Sequence, residues 1–281
     1  MLRHVPRRRI LLLPLSLLLC AGAALAAGAG DELEAQFARA ADDADAVVPL
    51  LEAASTRIAA LPAEQAAALA IRLEPYCRRA FWSSERLDDM ADIGLHLHRI
   101  APGETAIGIA RRYRISIDLI AQLNHGFSAR ALQAGSLLKI LDLSDEPLEL
   151  VVGCSTFRML VWRDGVLVLS VPVGLGAAGH PTPLGSTTVA SCVRNPEWRD
   201  PDSGRVYKPN APGNVLGGYW IGFTPGPDAL FRGIGIHGFT GDSPDNWLGK
   251  QGSHGCVRLQ QGDISTLFAF VRPGTRVAIR P

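Results

Sequence analysis

At Pro147 the hydrophobic pattern of the chain changes period, and no other feature constrains the fold as strongly. Short apolar, β-branched-rich runs follow at residues 148–152, 157–162 and 166–173. Such runs favour extended backbone, where branched side chains pack on a pleated surface. Asp164-Gly165, between the last two runs, suits the positive φ angles of a tight hairpin turn. Further strands are expected at 186–190, 219–223, 234–236 and 275–279, the last after a Pro273-Gly274 turn. Asp263 is placed to cap a short helix carrying Leu267, Phe268 and Val271. Strands at these intervals predict a mainly β domain over residues 147–281, a sandwich or barrel with one short helix.

Upstream the period is helical. Residues 31–95 are rich in Ala, Leu, Glu and Arg, and Pro49 and Pro62 sit where a first helical turn would begin. Leu50, Ala54, Ile58 and Leu61, then Leu69, Leu73 and Tyr76, recur at helical spacing. This segment reads as a helical hairpin whose one apolar face serves packing. Residues 97–143 form a different unit. A strand around Ile100 and a Pro102-Gly103 turn precede two helices, capped by Thr105 and Ser116, and Gly135 turns into a closing strand at 137–140.

The stretch HRIAPGETAIGIARRYRISIDLIAQLNHGFSARALQAGSLLKI in this unit resembles a LysM module. It shares that family's Gly-acid-Thr start, Leu-x-x-Leu-Asn-like second helix (Ile120 replacing one Leu) and closing Leu132, Gly135 and Leu138. Glu104, Ala106 and His125 depart from the usual Asp, large apolar residue and Pro. The resemblance implies a βααβ fold and binding to the N-acetylglucosamine backbone of peptidoglycan or chitin. A spacer role is the alternative.

The first residues read as an export signal over 1–26. Arg3, His4, Arg7, Arg8 and Arg9 precede an apolar run, and Ala24-Leu25-Ala26 offers a cleavage site. An uncleaved membrane anchor is the alternative, and Leu19 before Cys20 disfavours lipidation. Export places the protein in the periplasm or cell wall. A formal net charge of +1, with 47% hydrophobic and 20% charged residues, fits a globular chain and gives no reason to expect nucleic acid.

Past the signal, Cys77, Cys154, Cys192 and Cys256 remain. An exported chain could bridge them, with Cys154–Cys192 the pairing to test and buried free thiols the equal alternative, while Cys77 reads as core. Cys256 stands apart, because His237-Gly238, then Ser253-His254-Gly255, then Arg258 surround it in sequence. A thiol attacks only as thiolate, and an imidazole within reach can take its proton and return it to a leaving amine. Glycine beside the cysteine opens the backbone to substrate and to an oxyanion. His237, His254 and Cys256 could in principle hold zinc, but no HExxH or paired CxxC accompanies them. No cofactor or metal is expected.

The run GIHGFTGDSPDNWLGKQGSHGCVRL is similar to the active-site signature of L,D-transpeptidases, the YkuD-type catalytic domain. PVGLG, TPLGSTTV, NPEW and GNVLGGYWIGF resemble that family's segments in the same order. The resemblance implies Cys256 as nucleophile, His237 as base, and the Ser253 carbonyl as the group orienting His237. It also implies His254 and Gly255 in the oxyanion region, and Gly238 and Arg258 in substrate binding. Phe239 stands where Thr is common. The implied activity is peptidoglycan cross-linking through a thioester, with release of terminal D-alanine from tetrapeptide stems. L,D-carboxypeptidase action, attachment to a protein lysine, and a non-catalytic wall-binding protein remain alternatives.

Overall fold

The computed structural model describes residues 22–143 and 148–281. Most of the expected export signal, residues 1–21, and the expected domain junction at 144–147 therefore lie outside the described residues. Three helices come first: α1 (Gly22–Asp42), α2 (Val47–Ala60) and α3 (Ala63–Phe81). Pro62 takes the N-cap position of α3, and Pro75 lies inside that helix, which the sequence pattern did not reveal. Among the described residues no helix is long and apolar enough to cross a membrane.

The βααβ unit follows as β1 (Leu95–Arg99), α4 (Ala106–Arg112), α5 (Ile117–Leu123) and β2 (Leu137–Leu141). Thr105 and Ser116 cap its helices by accepting the backbone N–H groups of Gly108 and Leu119. Its own core is small: Ile100, Ile109, Ala110, Ile120, Leu138 and Ile140.

The remaining elements are β3 (Leu148–Gly153), β4 (Arg158–Arg163), β5 (Val166–Pro172), β6 (Leu175–Gly176), β7 (Gly185–Arg194), β8 (Trp198–Arg199) and β9 (Val206–Tyr207). After them come β10 (Tyr219–Phe223), β11 (Gly235–Gly238), α6 (Pro244–Trp247), β12 (Gln251–Ser253), β13 (Val257–Leu259), α7 (Gln261–Phe270) and β14 (Arg276–Arg280). Eight strands form one near-barrel sheet in the order β13-β11-β10-β7-β14-β3-β4-β5. Strand β7 joins its two halves, pairing with β14 through residues 185–188 and with β10 through 189–194. The hairpin between β4 and β5 turns on Asp164 and Gly165 at φ 47° and 77°, the two positive angles such a turn requires.

One expectation is corrected here, and one pair of open alternatives is resolved. Asp263 does not cap α7; Gln260 holds the N-cap position without a side-chain hydrogen bond, and Asp263 sits buried in the first turn, ion-paired with Arg78 of α3 at 2.9 Å. All four described cysteines are free, so Cys154 and Cys192 are not bridged.

The helices are part of the β domain's core. Phe81, Leu50, Leu51 and Leu73 are fully buried in the same cluster as Leu150, Val161, Leu169 and Ile279. Each such side chain contributes roughly 1.5–3 kcal/mol by leaving water. The helices also finish the sheet edge. Strand β5 is the last strand in the order, and its outward backbone groups would otherwise be unpaired. Leu167 N–H donates to Ser55 Oγ at 2.9 Å, Cys77 Sγ donates to Leu167 O at 3.2 Å, and Trp82 Nε1 donates to Val168 O at 2.8 Å.

The βααβ unit docks on α7, β7 and the segment that follows α3. Ser116 Oγ donates to Ala269 O at 2.5 Å, and Gln122 Nε2 to Ser265 O at 3.2 Å. Arg194 of β7 pairs with Asp118 of α5. The buried ammonium of Lys139 on β2 donates to the carbonyls of Glu85 (2.6 Å) and Ser83 (3.1 Å).

Candidate active site

His237 is held by strand register. It faces Trp220 across the antiparallel β10 and Arg258 across the parallel β13. The Trp220 ring stacks on the imidazole at 6.0 Å between centroids and 24° between planes. The imidazole is 5% exposed, and its Nδ1 meets the carbonyl of Gly238. A carbonyl can only accept, so Nδ1 carries the proton and Nε2 keeps its lone pair. Burial, helped by the positive charge of Arg258 and opposed by the Gly238 bond, lowers its pKa to about 4. At neutral pH the ring is therefore an uncharged acceptor.

Cys256 follows β12 on a turn that only glycine fits. Gly255 has φ +101°, and a Cβ there would come within 2.8 Å of Ile234 Cδ1. Ser253 clamps the turn with its hydroxyl, donating to Cys256 O at 2.6 Å and accepting Gly255 N–H at 3.1 Å. The half-buried thiol points to Gly233 O at 3.7 Å. Burial raises its pKa, with partial relief from a backbone hydrogen bond at Gly235 and from Arg258.

The expected residues divide. His237, Ser253, His254, Cys256 and Arg258 border one cleft of about 520 Å³. The carbonyl that meets His237 Nδ1 is that of Gly238, and the Ser253 carbonyl accepts Ala177 N–H at 2.8 Å where β12 meets β6. Gly238 does not line the cleft. It is buried against Gly217 and Gln261, with no room for a Cβ. The Gly255 N–H is committed to Ser253. His254 turns away to Asp202 (2.9 Å) and lies on the His180 ring at 4.8 Å. Among the described residues no three His, Cys, Asp or Glu side chains converge as metal ligands.

Phe239, a departure from the family pattern, carries the Arg258 guanidinium 3.8 Å above its ring. Sequence reasoning missed the Gly233 carbonyl and exposed Arg232 on the cleft, and the β8–β9 hairpin whose turn brings Asp202 to His254. A two-residue strand pair leaves no hydrophobic period to read.

A cleft bordered by a cysteine and a buried neutral imidazole on a near-barrel sheet fits cysteine-dependent acyl transfer. The chain belongs to the L,D-transpeptidase family: residues 148–279 match the YkuD L,D-transpeptidase catalytic domain, and residues 98–141 match the LysM domain. YqjB of Bacillus subtilis is 30% identical over 144 residues, covering 50% of this chain and 77% of YqjB. Probable L,D-transpeptidase YcfS of Escherichia coli is 31% identical over 195 residues, covering 63% of this chain and 59% of YcfS. This chain thus spans less than two thirds of YcfS. Among solved structures, an L,D-transpeptidase from Mycobacterium tuberculosis aligns with 54% of this chain and 75% of its own, at 21% identity and a TM-score of 0.39.

Proposed function

We propose that the protein is an exported L,D-transpeptidase that remodels peptidoglycan in the periplasm or cell wall. The observation that carries the reading is that Cys256 and His237 border one cleft, with His237 Nδ1 on the Gly238 carbonyl so that Nε2 is the nitrogen left to accept a proton. In this mechanism Cys256 Sγ attacks the carbonyl joining the diamino acid of a tetrapeptide stem to its terminal D-alanine. The thiol proton passes to His237 Nε2. The tetrahedral oxyanion is met by backbone N–H groups of the 254–256 turn other than that of Gly255, and the C–N bond then breaks. D-Alanine leaves with the proton from His237, and a thioester remains on Cys256. A stem amine of a second strand gives its proton to Nε2, attacks the thioester and releases the thiol, forming a 3→3 cross-link.

Gly238 O holds the imidazole in the tautomer this cycle needs. Arg258 contributes positive charge at the cleft wall and, with burial, keeps His237 neutral between steps. The LysM and catalytic domains together imply peptidoglycan as the partner. Docking of the LysM unit on α7 and β7 would keep the cleft close to a bound glycan strand and raise the local stem concentration.

The test is mass spectrometry of the protein and of Cys256→Ala after incubation with purified disaccharide-tetrapeptide. A transient adduct on Cys256 with D-alanine release and a cross-linked dimer is expected. Tripeptide monomer alone would make it a carboxypeptidase, and binding with neither adduct nor product would make it a wall-binding protein.

A further inference from the structure

A second groove, of about 410 Å³, adjoins the Cys256 cleft and differs from it in chemistry. Trp198, Trp220, Val215 and Leu216 wall the cleft. The groove is bordered instead by Arg194, Asn195, Asn210, Tyr219, Thr240 and Gln261. Asn195, Asn210 and Thr240 are exposed, and their side chains make no hydrogen bond to the described residues. Arg194 is the charged residue on its border, and Asp118 of the LysM unit neutralises it. Such a surface has no net charge with which to hold an ion. Its amides offer donors and acceptors side by side, and its hydroxyl offers both, which matches vicinal hydroxyls and acetamido groups. The Tyr219 ring is already packed between Arg194 and Phe268, so the polar side chains carry the chemistry of the groove.

Position adds to chemistry. Pro196 borders both the groove and the cleft. Arg194 reaches from the groove to α5 of the LysM unit. The groove thus lies between the LysM unit and the thiol.

We propose that this groove is a saccharide subsite, taking the N-acetylated sugar that carries the stem peptide while that peptide occupies the cleft. The inference rests on the peptidoglycan reading above and adds a glycan contact made by the catalytic domain itself.

The test compares two ligands, free tetrapeptide and disaccharide-tetrapeptide, binding to the full chain carrying Cys256→Ala. Asn195 and Asn210 have φ of +50° and +58°, so Asn195→Gly and Asn210→Gly keep the backbone unstrained. Combined with Thr240→Val, they should weaken the disaccharide-tetrapeptide about tenfold, the loss of one or two net hydrogen bonds. Affinity for the free tetrapeptide should not change. Equal losses for both ligands, or no loss for either, would overturn the subsite. If the triple variant does not fold, side-chain amide signals of Asn195 and Asn210 in the Cys256→Ala protein give the answer. They should shift with the disaccharide-tetrapeptide and stay still with the peptide, and silence with both refutes the proposal. Sugar-dependent binding, with neither compound turned over by the protein that keeps Cys256, would sink the transfer reading and leave the subsite standing.

Discussion

Iodoacetamide should find Cys256 a neutral thiol in the resting protein, and its alkylation rate across pH measures this directly. Burial places the thiol above the ordinary 9.0, while burial and Arg258 hold His237 down at about 4. Moving the proton from Sγ to Nε2 without substrate is therefore uphill, because burial opposes both the thiolate and the imidazolium. At pH 7 the thiolate should amount to about 1% or less. The rate, taken as the difference between the protein and Cys256→Ala, should climb steadily with no plateau below about pH 9. Cys154 and Cys192 add little background, since burial raises both, Cys192 to about 11. Turnover should instead be flat from about pH 5 to 8 and fall only as His237 protonates near pH 4. Alkylation that plateaus at neutral pH, with a midpoint at roughly pH 4 to 6, would show a preformed thiolate–imidazolium pair and refute this reasoning.

Three further outcomes are expected. Gly255→Ala should cost about 1–3 kcal/mol in a denaturant titration and depress turnover, because Ile234 and the positive φ both oppose a Cβ; an unchanged midpoint would contradict the geometry. Ser55→Ala leaves the buried Leu167 N–H unpaired, at a cost of about 1–3 kcal/mol read as a lower denaturant midpoint. Lys139 gives a pH signature, since burial lowers it from 10.5 to about 8 against the pull of Glu85. The unfolded chain binds that proton more tightly, so the charged ammonium costs stability below pH 8 and the cost fades as pH rises to 10.5. The stability of the protein relative to Lys139→Met should therefore rise by about 3 kcal/mol between pH 7 and 10.5, and a flat difference would show the ammonium to be well solvated.

Local signals in the sequence were faithful where one residue type meets one backbone need. Asp164-Gly165 makes the expected turn, Thr105 and Ser116 cap the expected helices, and residues 219–223 form the expected strand. The spacing around His237 and Cys256 likewise brings both residues to one cleft. What stayed hidden depends on partners far along the chain. Asp263 looks like a cap until Arg78, 185 positions away, draws it into an ion pair. Ser253 looks like the partner of His237, yet the carbonyl on His237 Nδ1 is that of the adjacent Gly238. Pro75 belongs inside a helix that tertiary packing supports, whereas local propensity argues against it.

The side chains that finish β5 stand 86 to 112 positions ahead of the backbone groups they meet. On the ribosome the helices are made well before the strand they must cover, and that long closure is slow to form. Until it forms, the strand is free to pair with a neighbouring chain. Cutting the chain at the LysM boundary would therefore leave an unfinished sheet that self-associates. A fragment meant to stay monomeric has to begin upstream of Val47.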